Sequence, residues 1–148
     1  MTVYLGADHR GFNLREYIKK KLLDSGCDVV DRGDGTADPN DDYPDFAKAV
    51  AEKVAEHPAD DRGIVICGAG FGVDIAANKF RGVRSALALS PAHVKAGRND
   101  DDVNVLALAA DFLDEATAWA IVEKFLATPF AAEERYKRRI AKISQFEK

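Results

Sequence analysis

Short apolar runs alternate with helix-period segments along this chain, and that alternation limits the fold more than any other feature. Runs at residues 2–7, 27–31, 63–67, 83–89 and 103–108 have strand length and composition. Between them lie segments of helical periodicity, at 12–24, 44–57 and 71–79 and again after Ser90. Strands separated by helices do not pair as hairpins; each crosses over and lies parallel to another. A parallel sheet has apolar residues on both faces, and helices must cover both. The pattern predicts an α/β protein, a parallel sheet inside an α/β/α sandwich.

The local signals agree. Phe12, Leu14, Tyr17, Ile18 and Leu22 form the inward stripe of the first helix, and Gly26 ends it. The loop at 32–42, RGDGTADPNDD, is too rich in Gly, Asp and Pro for regular structure. Phe46, Val50 and Val54 recur at i, i+4, i+8 in the second helix. Ser90-Pro91 supplies a capping hydroxyl followed by proline at the first helical position. Asp114 opens a long helix with Trp119, Val122, Phe125 and Leu126 inward, and Pro129 breaks it before a basic helix at 131–145. No repeat, linker or low-complexity segment is present, so residues 1–148 are expected to form one domain.

Composition narrows the partners. With 21 basic and 25 acidic residues the formal charge is −4, and only the Lys/Arg cluster at 135–142 is strongly basic. No long-range field recruits nucleic acid. No apolar run approaches the ~20 residues of a membrane span. The N-terminus runs straight into a strand, without the pattern of a signal peptide. Two cysteines, Cys27 and Cys67, make no disulfide framework, and no Cys/His spacing resembles a zinc site. The expected location is the cytoplasm, and no metal or cofactor is expected.

In an open parallel sheet, ligands bind beyond the carboxyl ends of the strands. Those ends carry Asp8-His9, the 32–42 loop with Tyr43 beside it, Cys67 with its glycines, and Ser90. The richest segment is IVICGAGFGVDIAANK at 64–79. Its strand delivers Cys67 into Gly68-Ala69-Gly70-Phe71-Gly72, and a helix follows at once. Backbone N–H groups and the positive end of a helix dipole favour a thiolate there. The same turn can cradle an anion or a developing oxyanion. Its GxGxG spacing is not the GxGxxG of a dinucleotide site.

Each of these residues also has a structural reading. Cys67 is either a small buried hydrophobe or a base, whereas Cys27, opening a strand on the far edge, reads as core. Asp8-His9 is either an internal hydrogen-bonded pair or a contact for a hydroxylated or phosphorylated ligand. Arg135 and Arg139 share one helix face, as a solvated basic surface or as a phosphate clamp. His57 reads as a surface residue, and His93 lies on a helix whose facing is left open.

Five segments together carry a resemblance: GADHRGF (6–12), DYPDFA (42–47), ICGAGFGVDIAANK (66–79), GVRSAL (82–87) and NVLAL (104–108), followed by the two C-terminal arginines. In this order they resemble the ribose-5-phosphate isomerase B / galactose-6-phosphate isomerase family. The resemblance implies a five-stranded parallel sheet, Rossmann/flavodoxin-like, working as a homodimer (or a tetramer) with sites at the subunit interface. It implies metal-free aldose–ketose isomerisation through a cis-enediol. Cys67 matches the proton-abstracting cysteine, and the amides of Gly68 to Gly72 match the loop that holds the enediolate oxygen. Asp8 and His9 match substrate contacts, and Tyr43, beside the 32–42 loop, is a further candidate contact. His9, Arg135 and Arg139 match phosphate-binding residues, the arginines reaching across from a partner subunit.

The chain also departs from that pattern. Ala69 stands in place of a threonine, and Asp74 in place of a small or neutral residue. The histidine associated with opening the furanose ring becomes Asp100, the following ligand-contacting Asn becomes Asp101, and an arginine that helps hold phosphate becomes Asp111. Asp100 would act as a base first, because an ordinary carboxylate is ionised at neutral pH. The leading expectation is conversion of ribose 5-phosphate to ribulose 5-phosphate. The alternatives are the same reaction on a tetrose 4-phosphate, a hexose 6-phosphate or a less phosphorylated sugar, and a non-catalytic sugar-phosphate-binding paralogue.

Overall fold

The computed structural model describes residues 1–147. Its strands are β1 (Thr2–Ala7), β2 (Asp28–Asp31), β3 (Arg62–Cys67), β4 (Ser85–Leu87) and β5 (Val105–Ala109). The helices are α1 (Phe12–Asp24), α2 (Tyr43–Glu56), α3 (Phe71–Ala77), α4 (Pro91–Asp101), α5 (Glu115–Ala127) and α6 (Glu134–Ser144). All strands are parallel, in the order β2-β1-β3-β5-β4. The expected α/β/α layering is present, but the far edge differs from the flavodoxin order 2-1-3-4-5 because β5 lies inside β4. Burial explains the exchange. Every residue of Val105–Ala109 is buried, so β5 needs neighbours on both sides, whereas Ser85–Leu87 is only half-buried and suits an edge.

Side chains alternate across the sheet and divide the core in two. On one face Val3, Leu5, Ile64, Ile66, Leu106 and Leu108 pack against α1, α4 and α5. On the other, Val65, Cys67, Val105 and Ala107 pack against α2 and α3. Phe125 and Val122 are buried as expected, while Trp119 and Leu126 are only partly covered. Cys27 is likewise partly buried against the first face. Gly26 ends α1 with φ +76, and Cys27 N–H then reaches back to the Leu22 carbonyl at 3.0 Å.

Polar side chains fasten the pole opposite the strand ends. Asn104 is fully buried just before β5. Its amide donates to the carbonyls of Gly82 (2.9 Å) and Pro58 (3.2 Å), and its oxygen accepts the Arg84 N–H at 2.8 Å. Arg98, also buried, donates to the Thr128 carbonyl at 3.1 Å and pairs with Asp102 at 2.8 Å, joining α4 to the end of α5. Buried polar groups satisfied in this way fix geometry rather than cost stability.

Candidate active site

The strand order creates a switch point between β1 and β3, since the chain leaves β1 for β2 on one side and returns to β3 on the other. Crevices at such points bind ligands in open α/β sheets. Ala7 pairs with Ile66, so Asp8 and Cys67 leave the sheet beside each other. Cys67 pairs with Ala109 on its other flank. The turn is then locked to the loop after β5, with Ala110 N–H donating to the Cys67 carbonyl (2.9 Å) and Asp111 N–H to that of Gly68 (3.0 Å).

Cys67 is buried, 6% exposed, and the Gly70 N–H is directed at its Sγ at 3.2 Å. Gly70 makes that geometry with φ +77, and a Cβ there would lie 2.5 Å from Leu87 Cδ1 and 3.2 Å from Ala109 N. Only glycine meets both demands. Tyr43, at the start of α2, lays its ring on Gly72, where a Cβ would come 2.6 Å from Cε2. The expected helix at 71–79 ends at Ala77, so α3 has just seven residues and lends little dipole. The anion-holding capacity of the segment therefore rests on the amides of its turn. Asp74 is tied elsewhere, its carboxylate accepting the Ser85 hydroxyl at 2.6 Å.

Beside this turn, Asp8 is buried, and its Oδ1 accepts the N–H groups of Arg10 and Gly11, both at 3.0 Å. His9 does not pair with Asp8. Its Nδ1 lies 2.6 Å from Asp41 Oδ1, which also accepts the His9 N–H at 3.1 Å. The hydrogen bond to Asp41 raises the His9 pKa above 6.5, outweighing partial burial. Asp8, His9 and Asp41 each offer an atom within 4.8 Å of the others, a spacing that could hold a metal ion. The atoms are already engaged with one another and with backbone N–H groups, which argues against that use.

A second group lies at the end of α4. Asp100 accepts the Asn99 side-chain amide at 2.7 Å, and Tyr136, Arg135 and Arg139 of α6 lie near it. The Asn99 hydrogen bond, with further help from Tyr136 and the two arginines, holds the Asp100 carboxyl below its usual range. Arg135 pairs with Glu133 at 2.8 Å and donates to the Tyr136 hydroxyl at 2.9 Å. Asp101 is exposed beside it. Among the described residues, no hydrogen bond joins α6 to the Cys67 turn. One chain therefore presents two polar groups, Asp8-His9-Tyr43-Cys67-Asp111 and Asp100-Asp101-Arg135-Arg139, that it does not itself connect.

The family profile described as Ribose/Galactose Isomerase matches residues 3–143. The chain belongs to this family. It is 42% identical to the probable ribose-5-phosphate isomerase B of Mycoplasma genitalium over 99% of this chain and 96% of that relative. It is 38% identical to ribose-5-phosphate isomerase B of Mycolicibacterium paratuberculosis, covering 100% of this chain and 92% of the relative. The crystal structure of ribose-5-phosphate isomerase B from Mycoplasma genitalium with bound ribulose 5-phosphate superposes with a TM-score of 0.96 at 41% identity, over 99% of this chain and 95% of that one.

Ala69, Asp100, Asp101 and Asp111, the departures from the family pattern, all fall inside the matched span. Two residues at the site gave little sign in the sequence. Asp41 is one of several aspartates in an irregular loop, and nothing in the pattern singles it out. Arg10 reads as an ordinary loop residue, yet its guanidinium lies on Gly68 and pairs with Asp111.

Proposed function

We propose that this family member is an aldose–ketose isomerase interconverting ribose 5-phosphate and ribulose 5-phosphate through a cis-enediol. The observation that carries the reading is Cys67, delivered by β3 into a turn whose Gly70 N–H points at its sulfur. Isomerisation needs a base beside C2 and donors for the oxygen that becomes an enediolate. In the open-chain aldose, Cys67 as thiolate takes the C2 proton. The C–H electron pair forms the C1=C2 bond, and charge moves to O1, held by the amides of the 68–72 turn. The O2 proton passes to O1 and the thiol returns its proton to C1, leaving the ketone at C2.

The furanose must open first. Asp100, kept ionised by Asn99 and its α6 neighbours, suits removal of the proton from the anomeric hydroxyl. Asp8, His9, Tyr43 and Asp101 would contact the sugar, with His9, Arg135 and Arg139 at the phosphate. Because the Asp100 and arginine group is not connected to the Cys67 turn of its own chain, we assign it to the turn of a second copy. The protein would then act as a homodimer of single-domain protomers in the cytoplasm. Among the described residues, no helix is long and apolar enough to cross a membrane.

Asp100 also favours a specific second reading, because a four-carbon aldose 4-phosphate closes no furanose ring through its phosphorylated oxygen and needs no ring-opening histidine. A panel of C4, C5 and C6 aldoses, with and without phosphate, assayed for ketose formation decides between them. Ribose 5-phosphate should give the highest kcat/KM. Cys67→Ser should lose at least ~100-fold in kcat while staying folded. Near-full activity in that variant removes Cys67 as base, and no turnover of any sugar points to a binding paralogue.

A further inference from the structure

Arg10 follows His9 in the loop after β1, and its side chain reaches across the end of β3. The guanidinium lies against the α-carbon of Gly68, the first residue after Cys67; a Cβ there would come within 2.7 Å of Nη1. Nη2 is ion-paired with Asp111, in the loop after β5. The Asp111 N–H in turn donates to the Gly68 carbonyl at 3.0 Å. One side chain thus links three strand ends over the Cys67 turn.

The link is built to exchange. Both side chains are open to water, 55% and 40% exposed, and such a pair is worth on the order of 1 kcal/mol or less. Only Nη2 is engaged; Nε and Nη1 make no hydrogen bond among the described residues. Two other carboxylates of this site are already occupied, Asp8 by backbone N–H groups and Asp41 by His9. Arg10 therefore keeps much of its donor fork for an acceptor arriving at the mouth of the turn.

We propose that Arg10 grips the phosphoryl group of the substrate, and that Asp111 holds its guanidinium over Gly68 until that group takes the carboxylate's place. The inference rests on the sugar-phosphate reading and adds a binding residue to it. A phosphoryl dianion brings more charge than a carboxylate and oxygens spaced for a guanidinium fork. It outcompetes Asp111, which turns to water through its exposed side. A lysine at this place would supply a point charge without the flat, two-pronged grip. Residue 10 then selects for phosphorylated sugars.

Inorganic phosphate is the probe, its binding followed by calorimetry and by competitive inhibition of any turnover. Arg10→Ala should weaken phosphate binding about tenfold or more, and Arg10→Lys should recover part of the loss. Asp111→Asn should bind phosphate at least as tightly as the wild type, since the competing charge is gone. The KM for ribose 5-phosphate should rise in Arg10→Ala by a larger factor than kcat falls. Unchanged phosphate affinity in Arg10→Ala, no phosphate binding by the wild type, or a loss in Asp111→Asn equal to that in Arg10→Ala would overturn the proposal. A protein that binds phosphate through Arg10 yet isomerises no sugar keeps this assignment and refutes the isomerase reading instead.

Discussion

Asp41 engages His9 twice, through the ring and through the backbone, and so sets both its orientation and its charge. Because the folded pKa is raised above 6.5, the pairing contributes its full stability below pH 6.5 and loses it as pH climbs through the raised value. In Asp41→Asn the imidazole should titrate at lower pH than in the wild type, measured by NMR of its ring protons; an unshifted midpoint would show that the carboxylate does not control the proton. Individual residues were unevenly legible in the sequence. The place of Cys67 at a strand end was readable because strand, thiol and glycines are adjacent in the chain. The partner of His9 was not, since it comes from 32 residues away and hydrogen bonds of that separation leave no periodic trace.

Elements were easier to read in kind than in length. The 83–89 run is apolar enough for a long strand, but at the sheet edge only Ser85–Leu87 finds a ladder. The helix expected at 71–79 stops at Ala77, where Asn78 turns its side chain to the Ser85 backbone. Tertiary pairing decides such ends, and sequence periodicity does not report it. The Cys67 turn is the element whose geometry matters most. Gly70→Ala should destabilise the fold by about 2 kcal/mol or more in chemical denaturation, because strain at φ +77 adds to collisions with Leu87 and Ala109. Gly26→Ala has the same kind of φ, +76, and open space around it, so it should cost only about 1 kcal/mol. Equal losses in the two variants would mean that packing around residue 70 is slack.

For the whole molecule, the alternation of runs was sufficient to predict the layers but not the placement of β5 inside β4. That order depends on which strand is more fully buried, a comparison that needs the packed structure. The same holds for the separation of the two polar groups, which no spacing along the chain announces. Their proposed union across two protomers has a direct consequence. Cys67→Ser and Arg139→Ala should each be poor at low ribose 5-phosphate, yet mixing and re-equilibrating them should restore about a quarter of the wild-type sites, as expected for random exchange between two-fold dimers. Activity no greater than the sum of the separate variants would place both groups in the same protomer's site.

Asn104 bears on what the sheet does to its neighbours. β4 is a three-residue edge strand, and an edge is a template on which foreign strands can grow. The strand gains little from so short a ladder. Asn104 fastens the segment leading into it by the Gly82 carbonyl and the Arg84 N–H. Peeling that segment away would strand several polar groups at once, so this edge of the sheet stays too short and too firmly held to recruit another chain.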